Sequence, residues 1–214
     1  MIANLDNMSE MAVPRRRRRR ADADRSAAAV LQAAQRLLAA EPHASIEDIA
    51  TAAGVSRQTV YAHFANRDAL VSAVIDAITA ETVAEMDAVP LDQGTAAEAL
   101  LRLLNASWGS FQRYTRLLST ATATPEEDHS RHHAVNDRLH QVLTRGQQAG
   151  EFTRDLSAPW LATAVISLGH AAAEAVTTDR MTFAEATGAL AQSMLRLCGV
   201  EPSRIPELVD RAVG

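Results

Sequence analysis

Residues Ser45 to Phe64, SIEDIATAAGVSRQTVYAHF, constrain the fold more than any other stretch, because two short helical patterns meet there at a single tight corner. Ile46, Ile49, Ala50 and Ala53 fall at i, i+3, i+4 and i+7 and give the first pattern one apolar face. Ser45 stands where an N-cap is needed, and Asp48 completes a capping box. Gly54 can take a positive φ at no steric cost, and Val55 puts one apolar side chain into the corner. Ser56 caps the second pattern, which turns only Val60 and Phe64 inward and leaves Arg57, Gln58, Thr59, Tyr61 and His63 outward. A helix with so little apolar surface cannot be held by its own burial. It has to dock on its neighbours and offer a face of donors and aromatics to a partner, which is the design of a helix-turn-helix whose second helix enters the major groove of DNA.

Net charge argues against nucleic acid only until its distribution is considered. The chain of 214 residues carries −5 overall, but residues 1–70 hold +2 and residues 71–214 hold −7, so the basic part coincides with the helix-turn-helix. All 21 basic residues are Arg, which fits the codon usage of a GC-rich genome before it fits any chemistry. With 47% hydrophobic and 22% charged residues, nine Gly and seven Pro, the composition is that of a helical protein with an ample core. No apolar run reaches membrane-spanning length and no signal-peptide pattern opens the chain, so the expectation is a cytoplasmic protein without a membrane partner. Cys198 stands alone, cannot form an internal disulfide, and is expected to be buried and inert.

Residues 1–24 lack a helical period and contain Arg15, Arg16, Arg17, Arg18, Arg19 and Arg20 in a row. Six adjacent like charges repel and have nothing to bury, so a disordered arm is expected. It reads either as an arm for phosphates and the minor groove or as a solvated tail. A first helix is expected from about Arg25 to Ala40, with Ala27, Leu31, Ala34 and Leu38 closing the helix-turn-helix core. Asn66 caps a longer helix to about Ala88, and the break at Pro90 to Gly94 follows it. Thr95 to Glu98 is a capping box opening a helix with Leu100, Leu104, Trp108 and Phe111 on one side. Thr124-Pro125-Glu126-Glu127 starts another that ends at Gly150. Ser157 and Thr182 open two more, with Leu161, Val165, Leu168 and Ala172 on one seam and Phe183, Leu190, Met194 and Leu197 on the other. Seams of this kind suit close packing within a bundle or across a two-fold axis. Beyond Val200 a short terminal helix is expected within a tail of residues 201–214.

The pattern I-x-x-I-A-x-x-A-G-V-S-x-x-T-V-Y-x-H-F-x-N-R-D-x-L, from Ile46 to Leu70, resembles the DNA-binding domain of TetR-type (TetR/AcrR) transcriptional regulators, and the resemblance covers about residues 25–75. It implies an all-α fold: a three-helix DNA-binding domain at 25–75, then a helical bundle at 76–200 that binds an effector and dimerises through its last two helices. It implies as partners a palindromic double-stranded operator, a small-molecule effector and a second copy of the chain. Arg57 and Gln58 fall where base edges are read, and Tyr61, His63 and Arg67 where phosphates are held. With the caps Ser45 and Ser56, Thr59, and Arg15 to Arg20, these form the expected DNA-facing set.

Enzymatic signatures are missing: the sequence holds no phosphate-binding glycine loop, dinucleotide fingerprint, G-x-S-x-G or H-E-x-x-H, so the chain is expected not to be an enzyme and to need no cofactor. His129, His132, His133, Asp137 and His140 cluster in sequence, and three of them share a helix face, but a solvated histidine-rich face is the commoner arrangement and no metal site is assigned. Asn105, Trp108, Phe111, Gln112, His140, His170 and Glu174 are polar or aromatic residues set into apolar helix faces, the composition of a small-molecule cavity between bundle helices. The expectation is a repressor released by its effector. The alternatives are an architectural DNA binder using the arginines and a metal- or ligand-binding helical enzyme.

Overall fold

The computed structural model describes residues 15–120 and 125–213, with side chains described for residues 23–118 and 133–211. Nine α-helices follow one another among the described residues: α1 Arg15–Ala40, α2 Ile46–Ala53, α3 Arg57–His63, α4 Arg67–Asp87, α5 Ala96–Thr120, α6 Pro125–Gln148, α7 Ala158–Thr177, α8 Phe183–Leu197 and α9 Ile205–Val213. Their starts are set locally. The hydroxyls of Ser45, Ser56, Ser157 and Thr182, and the amide oxygen of Asn66, each accept from a backbone N–H in the first turn. Thr95 and Glu98 satisfy each other's backbone N–H at the start of α5. Gly54 ends α2 at φ 69°, where a side chain would strain the backbone, and its N–H returns to Thr51.

Two cores organise the chain. The smaller joins Val30, Ala34 and Leu38 of α1 to Ile46 and Ile49 of α2, Val60 of α3 and Leu70, Val74 and Ile78 of α4. Tyr114 and Leu117, from the far end of α5, complete it. The larger lies among α5 to α9, with Leu100, Leu103, Leu143, Leu161, Met194 and Leu195 almost fully buried. Each such side chain contributes about 1.5–3 kcal/mol through burial, so the second core dominates stability. Both α4 and α5 run through the two cores and tie them together.

One expectation is corrected, and the remaining elements take definite places. Helix α1 begins at Arg15, so the run Arg15 to Arg20 is helical backbone and not a disordered arm. Arg and Ala are good helix formers and the run is continuous with the helix that follows, which outweighs like-charge repulsion. The terminal helix expected beyond Val200 is α9: its Ile205, Leu208 and Val209 share one face and are buried against α5 and α8. Of the two packings left open for the α8 seam, Leu190 and Met194, at 4% and 1% exposure, take the one within the bundle. Helix α5 continues unbroken from Ala96 to Thr120.

Candidate nucleic-acid interface and ligand cavity

Helix α3 is anchored by Val60, and its outer face is left to solvent. Arg57, Gln58 and Tyr61 are exposed on it. The Arg57 guanidinium lies 5.5 Å from the centre of the Tyr61 ring and donates to its hydroxyl at 3.4 Å. That hydrogen bond, and the proximity of the phenol, hold the Arg57 pKa above its usual value, so the charge at this face is permanent. Thr59 is half-buried and shares its hydroxyl with Ser56 at 2.9 Å. Ser45 stays exposed at the start of α2. Its hydroxyl donates to Asp48, and this bond, followed by the one from the Ser45 backbone, lowers the Asp48 pKa.

Two expected phosphate ligands are engaged inside the fold. His63 Nε2 lies 3.2 Å from Ser26 Oγ of α1. Arg67 is half-buried, and its guanidinium donates to the carbonyl oxygens of Pro42 and Ala44, bracing the α1–α2 turn against the start of α4. The side chains of Arg15 to Arg20 lie outside the described residues.

A cavity of about 250 Å3 opens between α4, α5, α6, α7 and α8. Of the seven residues expected there, Trp108, Phe111 and His170 line it. Trp108 is stacked between Phe111, 4.8 Å away, and Phe183, 5.5 Å away, and its indole N–H donates to the buried Thr187 hydroxyl. Asn105, Gln112, His140 and Glu174 are exposed and outside the cavity: Glu174 pairs with Arg180 at 2.8 Å, and His140 borders a separate depression with Leu91 and Arg145. His133 and Asp137 are 3.4 Å apart and exposed, while His129 and His132 have no described side chains; no group of three metal-ligating residues converges among the described residues.

Sequence reasoning passed over four hydroxyls in the cavity wall, Thr79 and Thr82 on α4 and Ser107 and Ser110 on α5. Each pair sits at i, i+3 within an otherwise apolar stripe, which is the signal that would have found them. Ser110 also begins a polar chain that leads out of the cavity. Its hydroxyl donates to Glu85, and Arg113 donates to both Ser110 and Glu85. Arg113 then reaches Glu81, and Glu81 accepts from Gln35 of α1 at 2.9 Å and from the Tyr114 hydroxyl. Partial burial alone would raise the Glu85 pKa, but the hydrogen bonds from Arg113 and Ser110 outweigh it and leave the carboxyl below its usual value. Burial pushes the Cys198 thiol up to about 12, so it is no thiolate at neutral pH. No described helix is long and apolar enough to cross a membrane.

Residues 30–74 match the family described as bacterial regulatory proteins, tetR family. The HTH-type transcriptional regulator EthR of Mycolicibacterium smegmatis is 31% identical over 126 residues, which are 56% of this chain and 58% of that protein, so the match spans under two thirds of the relative. The structure of RolR in complex with resorcinol is similar with a TM-score of 0.71 at 19% identity, covering 91% of this chain and 97% of that one. LfrR from Mycobacterium smegmatis, in complex with proflavine, gives 0.57 at 24% identity over 79% of this chain and 95% of its own. A tetR-family regulator from Streptomyces coelicolor gives 0.65 at 21% identity over 87% and 90%. At these identities the structural likeness establishes the fold.

Proposed function

We propose that this chain, whose residues 30–74 match the family described as bacterial regulatory proteins, tetR family, is a transcriptional repressor that binds a palindromic operator as a homodimer and releases it when a small molecule fills the cavity. The observation that carries this reading is the course of α4. Three residues separate it from the recognition helix, its first residue, Arg67, braces the α1–α2 turn, and its later residues Ile78, Thr79, Thr82 and Met86 form a wall of the cavity. A ligand that fits one position of α4 better than another therefore has differential affinity for two placements of α3, which is what a ligand needs in order to shift a population. Arg57 and Gln58 are the residues we assign to base edges, Tyr61 to phosphate. Ser45, Ser56, Thr59 and His63 order this surface, and Arg15 to Arg20 extend its charge.

A second copy has a suitable surface on the outer sides of α7 and α8, where Trp160 is 59% exposed and the small residues Ala171, Ala184 and Ala189 leave room for close helix contact. Relatives with resorcinol and proflavine in their structures support a small organic effector. The test is a footprint on the DNA flanking the gene, with Gln58→Ala beside the unsubstituted protein. A repressor protects an inverted repeat, and the substitution changes which base is preferred within it. Protection without sequence preference would refute the reading in favour of an architectural DNA binder.

A further inference from the structure

We infer that the cavity selects an uncharged aromatic molecule of one or two fused rings that donates a hydrogen bond, of the class of phenols and aryl amines. The inference rests on the cavity being the effector site, and it follows from what the wall can offer.

Size comes first. A cavity of 150 Å3 lined by aliphatic and aromatic groups holds a benzene ring, and the cavity of about 250 Å3 here has room for a fused pair or for one substituted ring. The α6 and α8 sides are apolar, the α7 side is apolar but for His170, and Trp108 with Phe111 presents a stacked aromatic wall. No Asp, Glu, Lys or Arg lines the cavity among the described residues. A cation would find no counter-ion there, and an anion only His170, so a charged ligand loses its hydration without compensation.

Polarity then fixes the direction of the hydrogen bond. The hydroxyl hydrogen of Thr79 is committed to the Ile75 carbonyl at 2.9 Å, that of Thr82 to Ile78 at 2.9 Å, and that of Ser107 to Leu103 and Leu104 at 3.0 Å. Ser110 donates to Glu85. A hydroxyl whose hydrogen bonds its own helix keeps lone pairs and nothing to give. The α4–α5 wall is therefore a row of acceptors, and a ligand satisfies it by donating. A ketone, ether or ester of the same shape would place lone pair against lone pair.

Three probes of one shape separate these terms: 2-naphthol, 2-methoxynaphthalene and 2-naphthoate, each titrated calorimetrically into the full chain and each tested for release of bound operator DNA. We expect 2-naphthol to bind about tenfold more tightly than the methyl ether, the weight of one neutral hydrogen bond, and 2-naphthoate to bind more weakly than both. Thr79→Val with Thr82→Val, which conserve shape and leave only Ser107 and Ser110 as acceptors, should reduce the preference for 2-naphthol several-fold while leaving the ether's affinity within a few-fold. Equal or tighter binding of the ether or the carboxylate, or no binding by 2-naphthol, overturns the inference. The regulatory reading fails separately: 2-naphthol that binds with this preference yet leaves the protein on DNA upholds the ligand class and refutes the effector role. Release of DNA by the carboxylate does the reverse.

Discussion

Arg67→Ala separates two roles that one arginine can play beside DNA. The guanidinium donates to two carbonyls, a close bond to Pro42 and a longer one, 3.4 Å, to Ala44. A hydrogen bond from a charged donor is worth about 1.5–3 kcal/mol; with the side chain half-exposed and the second bond long, the brace contributes about 2 kcal/mol in total. For a chain of this size each kcal/mol moves the melting temperature by about 2–4 °C, so the substitution should lower Tm by roughly 4–8 °C. A brace also holds α3 in place, so affinity for a duplex of fixed sequence should fall. The salt dependence of that affinity should not change, because no counterion release is lost. Were Arg67 mainly a phosphate ligand, the slope of log K against log salt would flatten by about 0.9 per subunit, roughly 1.8 for a dimer. Thermal unfolding and a salt titration on the same preparation decide between them. An unchanged Tm with a flattened slope would refute the brace.

Thr187→Val strands the Trp108 indole N–H in the core and should cost about 1–3 kcal/mol in urea unfolding. In a Trp108→Phe background, which has no N–H to strand, the cost should be clearly smaller; the same cost in both backgrounds would mean the bond is not formed. The Glu85 carboxyl titrates below its usual value when folded, so its contribution is complete above the ordinary glutamate pKa and is lost as pH falls through the lowered one. Glu85→Gln should accordingly lower the unfolding midpoint at neutral pH and show less further loss towards about pH 4 than the unsubstituted protein. Replacing Arg15 to Arg20 with Gln should flatten the salt slope of DNA binding and leave the preferred sequence unchanged; an unchanged slope would mean those arginines do not reach phosphate.

Much of the fold was legible because its signals are local. Ser45 with Asp48, Gly54, Ser56, Asn66, Thr95 with Glu98 and Thr182 with Glu185 each involve residues within one turn, and the structure places each at the helix end its spacing implied. Periodicity also marked Leu190 and Met194 as buried. It could not say against what, since an apolar stripe looks the same whether it faces its own protomer or another. The site was legible in halves. The exposed face of α3 follows from the scarcity of apolar positions between Arg57 and His63. The grip of Arg67 on Pro42 and Ala44 is set by a turn more than twenty residues away in sequence, and no spacing rule contains it. The cavity hydroxyls were missed for a different reason: Thr and Ser that bond their own helix carbonyls pass unnoticed among apolar neighbours, because they are already satisfied there.

The shared helix α5 bears on modularity. Tyr114 and Leu117 complete the core around α1, and the Tyr114 hydroxyl accepts from Gln35 at 2.7 Å. The reading head is thus not a detachable cartridge. A graft of residues 25–75 onto a foreign sensor would carry a socket where those two side chains sit, and would fold well only if the recipient supplied an aromatic and a leucine at the same place. Exchange of specificities between such proteins is easier by rewriting the surface of α3 than by cutting the chain at the break before α5, because the seam that evolution or an engineer must respect lies about twenty residues beyond that break, at Tyr114 and Leu117.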